Sequence, residues 1–145
     1  MAGGQLAAGG PCDGGQDESQ EQINSYRDLL VWQKGMALAK QVYRMTEAFP
    51  DHEKFGLMAP MRRAAVSVPS NIAAGQARQG RKEFVQFLSH AGGSLAELDT
   101  HLTLAADLGY CGQSGVKETV ALIAELQRML TSLRQKVAAR LATNH

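Results

Sequence analysis

The segment from Met61 to Gly80 restricts the possible folds most, because it combines helix-forming alanines, an interior proline and clustered arginines. Pro69 lacks the N–H group that would bond the preceding turn, at a cost of roughly 3 kcal/mol in an ordinary helix interior. Most other side chains of the segment are small, which allows a neighbouring backbone to approach. Apolar residues recur with the four-three-four spacing of one helix face, at Met61, Ala65, Val68 and Ile72. We therefore predict a kinked helix packed tightly against a neighbour.

Apolar spacing of the same kind divides residues 25–145 into four helices, predicted at about 28–48, 60–78, 81–108 and 116–141. Short connections that contain proline or glycine separate these helices. The third helix has the longest regular apolar face, which consists of Phe84, Leu88, Ala91, Leu95, Leu98, Leu102 and Ala105. We predict an all-α protein that folds as an antiparallel up-down-up-down four-helix bundle.

The helices also carry features that predict close contacts. The first helix has two apolar stripes, so it lies centrally in the bundle or contacts another subunit. In the third helix, Gly92 and Gly93 predict a tight approach by the second helix. Gly80 and Gly109 are predicted to end the second and third helices, respectively.

Residues 1–24 differ in composition from the rest of the chain. They contain six glycines and four acidic residues, with no Lys or Arg and only two sizeable aliphatic side chains. Such a segment buries too little apolar surface to offset the entropy lost on ordering, so we predict a flexible acidic tail. Because the whole chain has a net charge of +1, residues 25–145 carry +5. Residues 54–82 contain six basic residues and no acidic residue.

The sequence argues against several classes of protein. Cys12 and Cys111 lack the spacing of a disulfide framework or a zinc site. No stretch contains the roughly 18 consecutive apolar residues of a membrane span, and the first residues do not follow a signal-peptide pattern. We therefore expect a cytoplasmic protein that does not associate with membranes.

Few residues are candidates for catalysis or metal binding. Glu97 and His101 lie one helical turn apart and could both touch a metal ion. A di-iron bundle, however, uses a second Glu/His pair, which the sequence lacks. Ser67 and Ser70 have no histidine within local reach, so a catalytic serine is not predicted. We expect no cofactor, no metal site and no enzymatic activity.

Several motifs of the chain resemble a known family. The runs LLVWQKGMALAKQVYRMTEAFP, RRAAVSVPSNIAAGQAR and KEFVQFLSHAGGSLAELDTHLTLAADLGY, with a terminal RML, are similar to the four-helix-bundle proteins encoded by intervening sequences of 23S ribosomal RNA genes. The resemblance covers about residues 26–141. A related bundle is the accessory variability determinant of diversity-generating retroelements. That resemblance implies a ring-shaped homopentamer with nucleic-acid and reverse-transcriptase partners.

The second helix carries the most specific part of the resemblance. The matching positions there imply a structural motif of Ser67, Pro69, Ser70, Asn71 and Gly75; further matches are Arg62, Arg63, Arg78, Glu97 and Leu98. Two positions depart from the family pattern. Ala74 stands where the family usually has glutamate, and Pro60 stands where it has a polar residue. The missing glutamate leaves this helix more basic than is usual in the family.

Three hypotheses of function remain open. The leading one is a non-enzymatic homo-oligomer, a pentamer if the resemblance holds, that binds RNA or DNA through Arg62, Arg63, Arg78, Arg81 and Lys82. The second is a protein-interaction scaffold in which these cations pair with acids within or between subunits, and Arg63 is a candidate for such burial and pairing. The third is an enzyme or metalloprotein. A neighbouring gene for a reverse transcriptase or ribosomal RNA would favour the first hypothesis.

Overall fold

Four α-helices and short helical turns make up most of the chain in the computed structural model, which describes residues 25–78 and 80–143. The helices are α1 (Leu30–Thr46), α2 (Ala59–Ala77), α3 (Arg81–Asp107) and α4 (Gln113–Thr143). No strand occurs within the two described ranges. The prediction of an all-α four-helix bundle is therefore confirmed. The predicted flexible tail, residues 1–24, lies outside the described residues.

Helix ends differ from the predicted ones by a few residues. The chain enters α1 through a 3₁₀ turn, Tyr26–Asp28, in which the Ser25 hydroxyl accepts a hydrogen bond from the N–H of Arg27 at 3.1 Å. α2 ends at Ala77, three residues before the stop predicted at Gly80, and Gly80 has an extended conformation directly before α3. Gly109 does have the predicted left-handed conformation, with φ of 78°.

The connection between α1 and α2 contains more helical structure than the short connection predicted between the helices at 28–48 and 60–78. A 3₁₀ turn at Asp51–Glu53 is followed by a π-helical turn at Lys54–Met58 that leads directly into α2. One carboxylate oxygen of Glu53 accepts the N–H of Leu57 at 3.0 Å, and the other accepts the phenol O–H of Tyr110 at 2.8 Å. Glu53 thereby joins this connection to the turn between α3 and α4.

The core consists of the apolar helix faces predicted from residue spacing. The α2 face is fully buried, and so is the α3 face except for Phe84, which is half-buried against the core. On α1, the stripe that includes Leu38 and Val42 faces the core, whereas Tyr43 on the other stripe is exposed. Complete burial of one large aliphatic side chain stabilises a fold by about 1.5–3 kcal/mol, so these faces dominate stability.

Two glycines allow close approach between neighbouring helices. A Cβ placed on Gly75 of α2 would lie 2.7 Å from Cβ of Phe87 and 2.9 Å from Cδ1 of Phe84, so α3 packs where only glycine fits. A Cβ on Gly35 of α1 would lie 3.4 Å from Cβ of Pro69, and α2 continues as one helix through this buried proline.

The close approach predicted at Gly92 and Gly93 is not found. No atom lies within 4 Å of a Cβ placed on either residue. A tight contact between α2 and α3 is found instead at Gly75, where Phe84 and Phe87 near the start of α3 leave no room for a side chain. The sequence shows where the small residues of α3 are, but it does not show which turn of α3 packs closely against α2.

Contacts between neighbouring helices indicate how the helices run relative to one another. Arg62 near the start of α2 bonds Thr46 at the end of α1, while Ser67 of α2 bonds Ser94 in the middle of α3. The Lys34 ammonium of α1 lies 3.1 Å from the Glu125 carboxylate of α4. Met45 near the end of α1 contacts Gly115 near the start of α4. Residue numbers in these pairs rise along one helix as they fall along its neighbour, so the helices that share these contacts are antiparallel.

This arrangement gives the bundle two ends. We call the end where the chain enters α1 the near end; it comprises residues 25–31, 74–78, 80–87 and 133–143. The far end comprises residues 43–63 and 101–118, with the α1–α2 connection and the α3–α4 turn.

Candidate functional site

Arg62 is held in the contact between α1 and α2 at the far end. Its Nε donates to the Thr46 hydroxyl at 2.8 Å, and its Nη2 donates to the Tyr43 carbonyl at 3.2 Å. The guanidinium also lies 4.4 Å from the centroid of the Tyr43 ring, within the range of a cation–π contact. Thr46 is fully buried, so this predicted nucleic-acid residue has a structural role in joining two helices.

Arg63 is exposed on the outer surface of α2. Arg63 is therefore not buried within the chain, because the buried residues of α2 lie about 100° or more away from it around the helix. Arg63 lines an open groove of about 660 Å³ at the outer junction of α1 and α2, with Tyr43, Ala59, Arg62, Val66 and Ser67.

Arg78, Arg81 and Lys82 lie together at the near end, and all three are exposed. The Arg78 guanidinium lies 5.2 Å from the centroid of the Phe87 ring, and that ring meets His90 edge-on at 5.9 Å. Arg63 and Arg78 are separated by fifteen residues of α2, a distance of about 22 Å at 1.5 Å per residue. The five predicted residues therefore do not form one surface: two are at the far end and three at the near end.

Other basic residues at the near end were not among those predicted. Arg27 lies over the rings of Tyr26 and Trp32, at 5.8 and 5.6 Å from their centroids. On α4, the Arg134 guanidinium approaches the Ser89 hydroxyl at 3.5 Å, and Lys136 is exposed. The predicted antiparallel order of the helices could have identified Arg134 and Lys136, because it brings the end of α4 beside the start of α3.

The resulting charge distribution differs between the two ends. The near end contains seven Lys and Arg residues and two acidic residues, a formal charge of +5. The far end contains five of each, a formal charge of zero. The basic residues of the near end are Arg27, Arg78, Arg81, Lys82, Arg134, Lys136 and Arg140. Such a concentration of one sign gives a positive potential that attracts polyanions.

Arg81 and Lys82 lie where the local structure does not favour cations. They are the first two residues of α3, and the N-terminal end of a helix carries a partial positive charge. Cations at the ends of α2 and α4 are instead favourably placed, because the C-terminal end of a helix is partially negative. The two residues at the start of α3 therefore add to the positive potential of the near end at a small cost in stability.

The residues of the predicted structural motif of α2 do not all have the same role in the structure. The Ser67 and Ser94 hydroxyls lie 2.7 Å apart, and the Asn71 amide donates to both the carbonyl and the hydroxyl of Ser67, at 2.8 and 2.9 Å. Pro69 and Gly75 provide the close contacts with α1 and α3 described above. Ser70 is exposed. This part of α2 therefore positions the helices, and the Ser67 hydroxyl bonds both to Asn71 of its own helix and to Ser94 of α3.

The remaining candidates for chemistry are dispersed. Within residues 25–78 and 80–143, no three His, Cys, Asp or Glu side chains are grouped closely enough to bind a metal ion. Burial raises the pKa of the Cys111 thiol, which disfavours the reactive thiolate at neutral pH. The pKa of Tyr110 is raised first by its hydrogen bond to Glu53, with further contributions from burial and the Glu53 charge. Across the same described ranges, no helix has the length and apolar character needed to cross a membrane.

Comparison with known proteins gives a family and a fold. The family model described as 23S rRNA-intervening sequence protein matches residues 27–132. The chain belongs to this family. The match extends from the turn before α1 to the middle of α4, and so leaves out residues 1–24 and the basic C-terminal part of α4.

A solved structure supports the fold. It is the crystal structure of a protein with unknown function from the S23 ribosomal protein family of Bacteroides thetaiotaomicron. The TM-score is 0.68 at 20% sequence identity, and the alignment covers 73% of this chain and 96% of that one. At this identity the likeness shows the fold alone. A comparison with curated proteins found no match.

Proposed function

We propose that this protein is a non-enzymatic bundle that binds RNA or DNA at its near end. The observation that carries the proposal is the difference in charge between the ends, +5 against zero, for chain segments that belong to the same four helices. Phosphate groups supply most of the electrostatic attraction between proteins and nucleic acids, and exposed Lys and Arg provide it without sequence specificity.

The near end offers exposed cations beside aromatic rings. Arg78 lies over Phe87, and Arg27 lies over Trp32, so both guanidinium groups are held on a ring rather than extended freely into solvent. Cationic grooves lined by aromatic side chains suit single-stranded nucleic acids, since phosphates meet the cations and bases stack on the rings. Of the predicted residues, Arg78, Arg81 and Lys82 belong to the proposed surface, and Arg27, Arg134 and Lys136 are added to it. Arg63 is omitted because it lies at the far end. Arg62 is omitted because its donors are used within the fold.

We extend the proposal to a homo-oligomer, a pentamer by resemblance to the retroelement accessory protein. Support comes from apolar side chains left exposed on the outer surface of α1 and α2: Tyr43 and Val66 are 42% and 41% exposed beside the open groove that contains Arg63. A ring of five copies would repeat the near end five times and raise avidity for a long polyanion. Light scattering should give about five times 15.6 kDa.

The scaffold hypothesis is the second candidate, and one observation favours it. Phe55 in the π-helical turn is 87% exposed at the far end, where the formal charge is zero. A large exposed aromatic side chain on a charge-balanced surface suits a protein partner better than a nucleic acid. The two hypotheses therefore assign function to opposite ends of the bundle.

The deciding experiment compares cation removal at the two ends. Fluorescence anisotropy with labelled single-stranded RNA and DNA is measured at two salt concentrations for the wild type, Arg81→Ala/Lys82→Ala and the control Lys54→Ala/Lys117→Ala. The control removes the same number of exposed cations from the far end. Loss of two phosphate contacts should lower the slope of log affinity against log salt by about 1.4 to 1.8. If the two variants changed the affinity and its salt dependence equally, or if the wild type did not bind at low salt, the nucleic-acid proposal would be rejected in favour of the scaffold hypothesis.

A further inference from the structure

A groove with an apolar floor and a basic rim lies between the start of α1 and the second half of α4. Its volume is about 390 Å³, and Leu30 beside it is 56% exposed. Arg128 and Lys136 are exposed on the α4 side of the groove. The apolar lining is provided by Leu29, Leu30, Val31, Met129 and Leu133. The groove therefore combines features that fit a ligand with both aliphatic and acidic groups.

A segment with both aliphatic and acidic side chains stands in the sequence just before the turn that leads into α1. Asp17, Glu18, Glu21 and Ile23 precede Ser25, and the first 24 residues contain no Lys or Arg. Ile23 is six residues from Leu29, so its Cα lies within about 20 Å of that of Leu29 even in a fully extended chain. A tethered segment of this length is present at an effective concentration in the millimolar range, so weak contacts are enough to hold it.

We propose that residues 17–24 dock in this groove of the same molecule. Ile23 contacts the leucines of the floor, and the carboxylates of Glu21, Glu18 and Asp17 face Lys136 and Arg128. Each of these ion pairs is exposed and individually weak, so the docked state depends on their sum and is sensitive to salt. A nucleic-acid backbone matches the basic rim but leaves the apolar floor uncovered, whereas this segment matches both.

The extent of the family match agrees with this pairing. The match covers residues 27–132, so the acidic segment and Lys136 both lie outside it. Leu29, Arg128 and Met129 of the groove lie within the match, so the proposed contact joins a segment outside the shared bundle to a groove formed mainly by that bundle. The inference concerns the chain alone and does not depend on nucleic-acid binding.

A spin label provides the test, because one of the two cysteines lies beside the acidic segment. In full-length Cys111→Ser protein, a nitroxide is attached to Cys12, and the loss of backbone amide NMR intensity is measured across α1 and α4. The matched control has the same label and chain length, with Asp13→Asn, Asp17→Asn, Glu18→Gln and Glu21→Gln. The unlabelled Cys111→Ser spectrum establishes that this half-buried substitution preserves the fold.

The expected result is a loss of amide intensity at Leu29–Val31 and from Arg128 to Lys136 that is larger in the acidic chain than in the neutral control. The excess loss should disappear in about 1 M salt, where the Debye length is about 3 Å. It should also disappear in Arg128→Gln/Lys136→Gln, two changes at exposed positions that leave the core intact. Equal intensity loss in the acidic and neutral chains would overturn the proposal. Intensity loss seen only between labelled and unlabelled copies would also overturn it, since the occupant would then be a second molecule.

Discussion

At the far end of the bundle, several charged side chains are bound to partners within the chain, whereas at the near end exposed Lys and Arg outnumber acids. Glu53 accepts hydrogen bonds from Leu57 and Tyr110, and Arg62 donates to Thr46 and Tyr43. At the near end Arg81 and Lys82 extend from the unfavourable end of a helix dipole. The bonded charges of the far end therefore stabilise the fold, whereas the cations of the near end produce a positive electrostatic potential.

This difference has a practical consequence for mutagenesis. Substitutions of far-end charged residues that are bonded within the fold, such as Glu53 and Arg62, should change the free energy of unfolding and leave nucleic-acid affinity alone. Substitutions of charged residues at the near end should do the reverse. Substitutions at Gly75, at Arg62 and at the Arg81/Lys82 pair test this division between the two ends.

The largest effect is expected at Gly75, where packing influences both the free energy of unfolding and the affinity for nucleic acid. Gly75→Ala places a Cβ within 3 Å of Phe84 and Phe87 and should lower the free energy of unfolding by about 1–3 kcal/mol. Because Phe87 supports Arg78, the same change should also weaken nucleic-acid binding. Urea denaturation and anisotropy measure the two effects.

Gly92→Ala is the matched control on α3. A Cβ there meets no atom within 4 Å, so the change should raise the free energy of unfolding by about 0.5–1 kcal/mol through helix propensity. If both alanine variants were stabilising, the close approach of α2 and α3 at Gly75 would be incorrect.

The second effect is expected at Arg62 on the far end. Arg62→Ala removes two hydrogen bonds and the contact with the Tyr43 ring, and should lower the free energy of unfolding by about 1–3 kcal/mol. Binding to nucleic acid should be unchanged. Arg63→Ala, one residue along and exposed, should stay within about 0.5 kcal/mol of the wild type. A loss of affinity without a loss of stability in Arg62→Ala would contradict the structural role assigned to it.

The sequence predicted the fold well because burial in a helical bundle follows residue spacing. Every α2 residue at the predicted four-three-four positions is fully buried, and Phe84 is the single half-buried member of the predicted α3 face. Spacing along one helix defines that helix's own face, so these residues could be identified without knowledge of the partner helices.

The candidate site was harder to predict because it depends on which helix ends lie together. Arg62 and Arg63 are adjacent in the sequence, yet one is bound to α1 and the other is exposed, since a 100° rotation separates neighbouring residues on a helix. Arg134 and Lys136 are some fifty residues from Arg81, so a search for local runs of charge could not include them. The run of cations at residues 54–82 extends from one end of the bundle to the other.

The smallest effect concerns the stability of the near end itself. Arg81→Ala/Lys82→Ala removes two cations from the N-terminal end of α3, where each is unfavourable by about 0.3–1 kcal/mol at low salt. The free energy of unfolding should therefore rise slightly, although affinity for nucleic acid falls. Arg140→Ala is the control of opposite sign, because it removes a cation from the last turn of α4, where the dipole favours it.

Urea denaturation at low salt and in about 1 M salt distinguishes the dipole from other causes, since screening should remove both changes. A gain in Arg81→Ala/Lys82→Ala that persists in high salt would point to helix propensity rather than charge. Lower stability in both variants would mean that the near-end cations are paired within the fold. In that case the charge difference between the two ends would no longer favour a polyanion at the near end, and the scaffold hypothesis would be the better account.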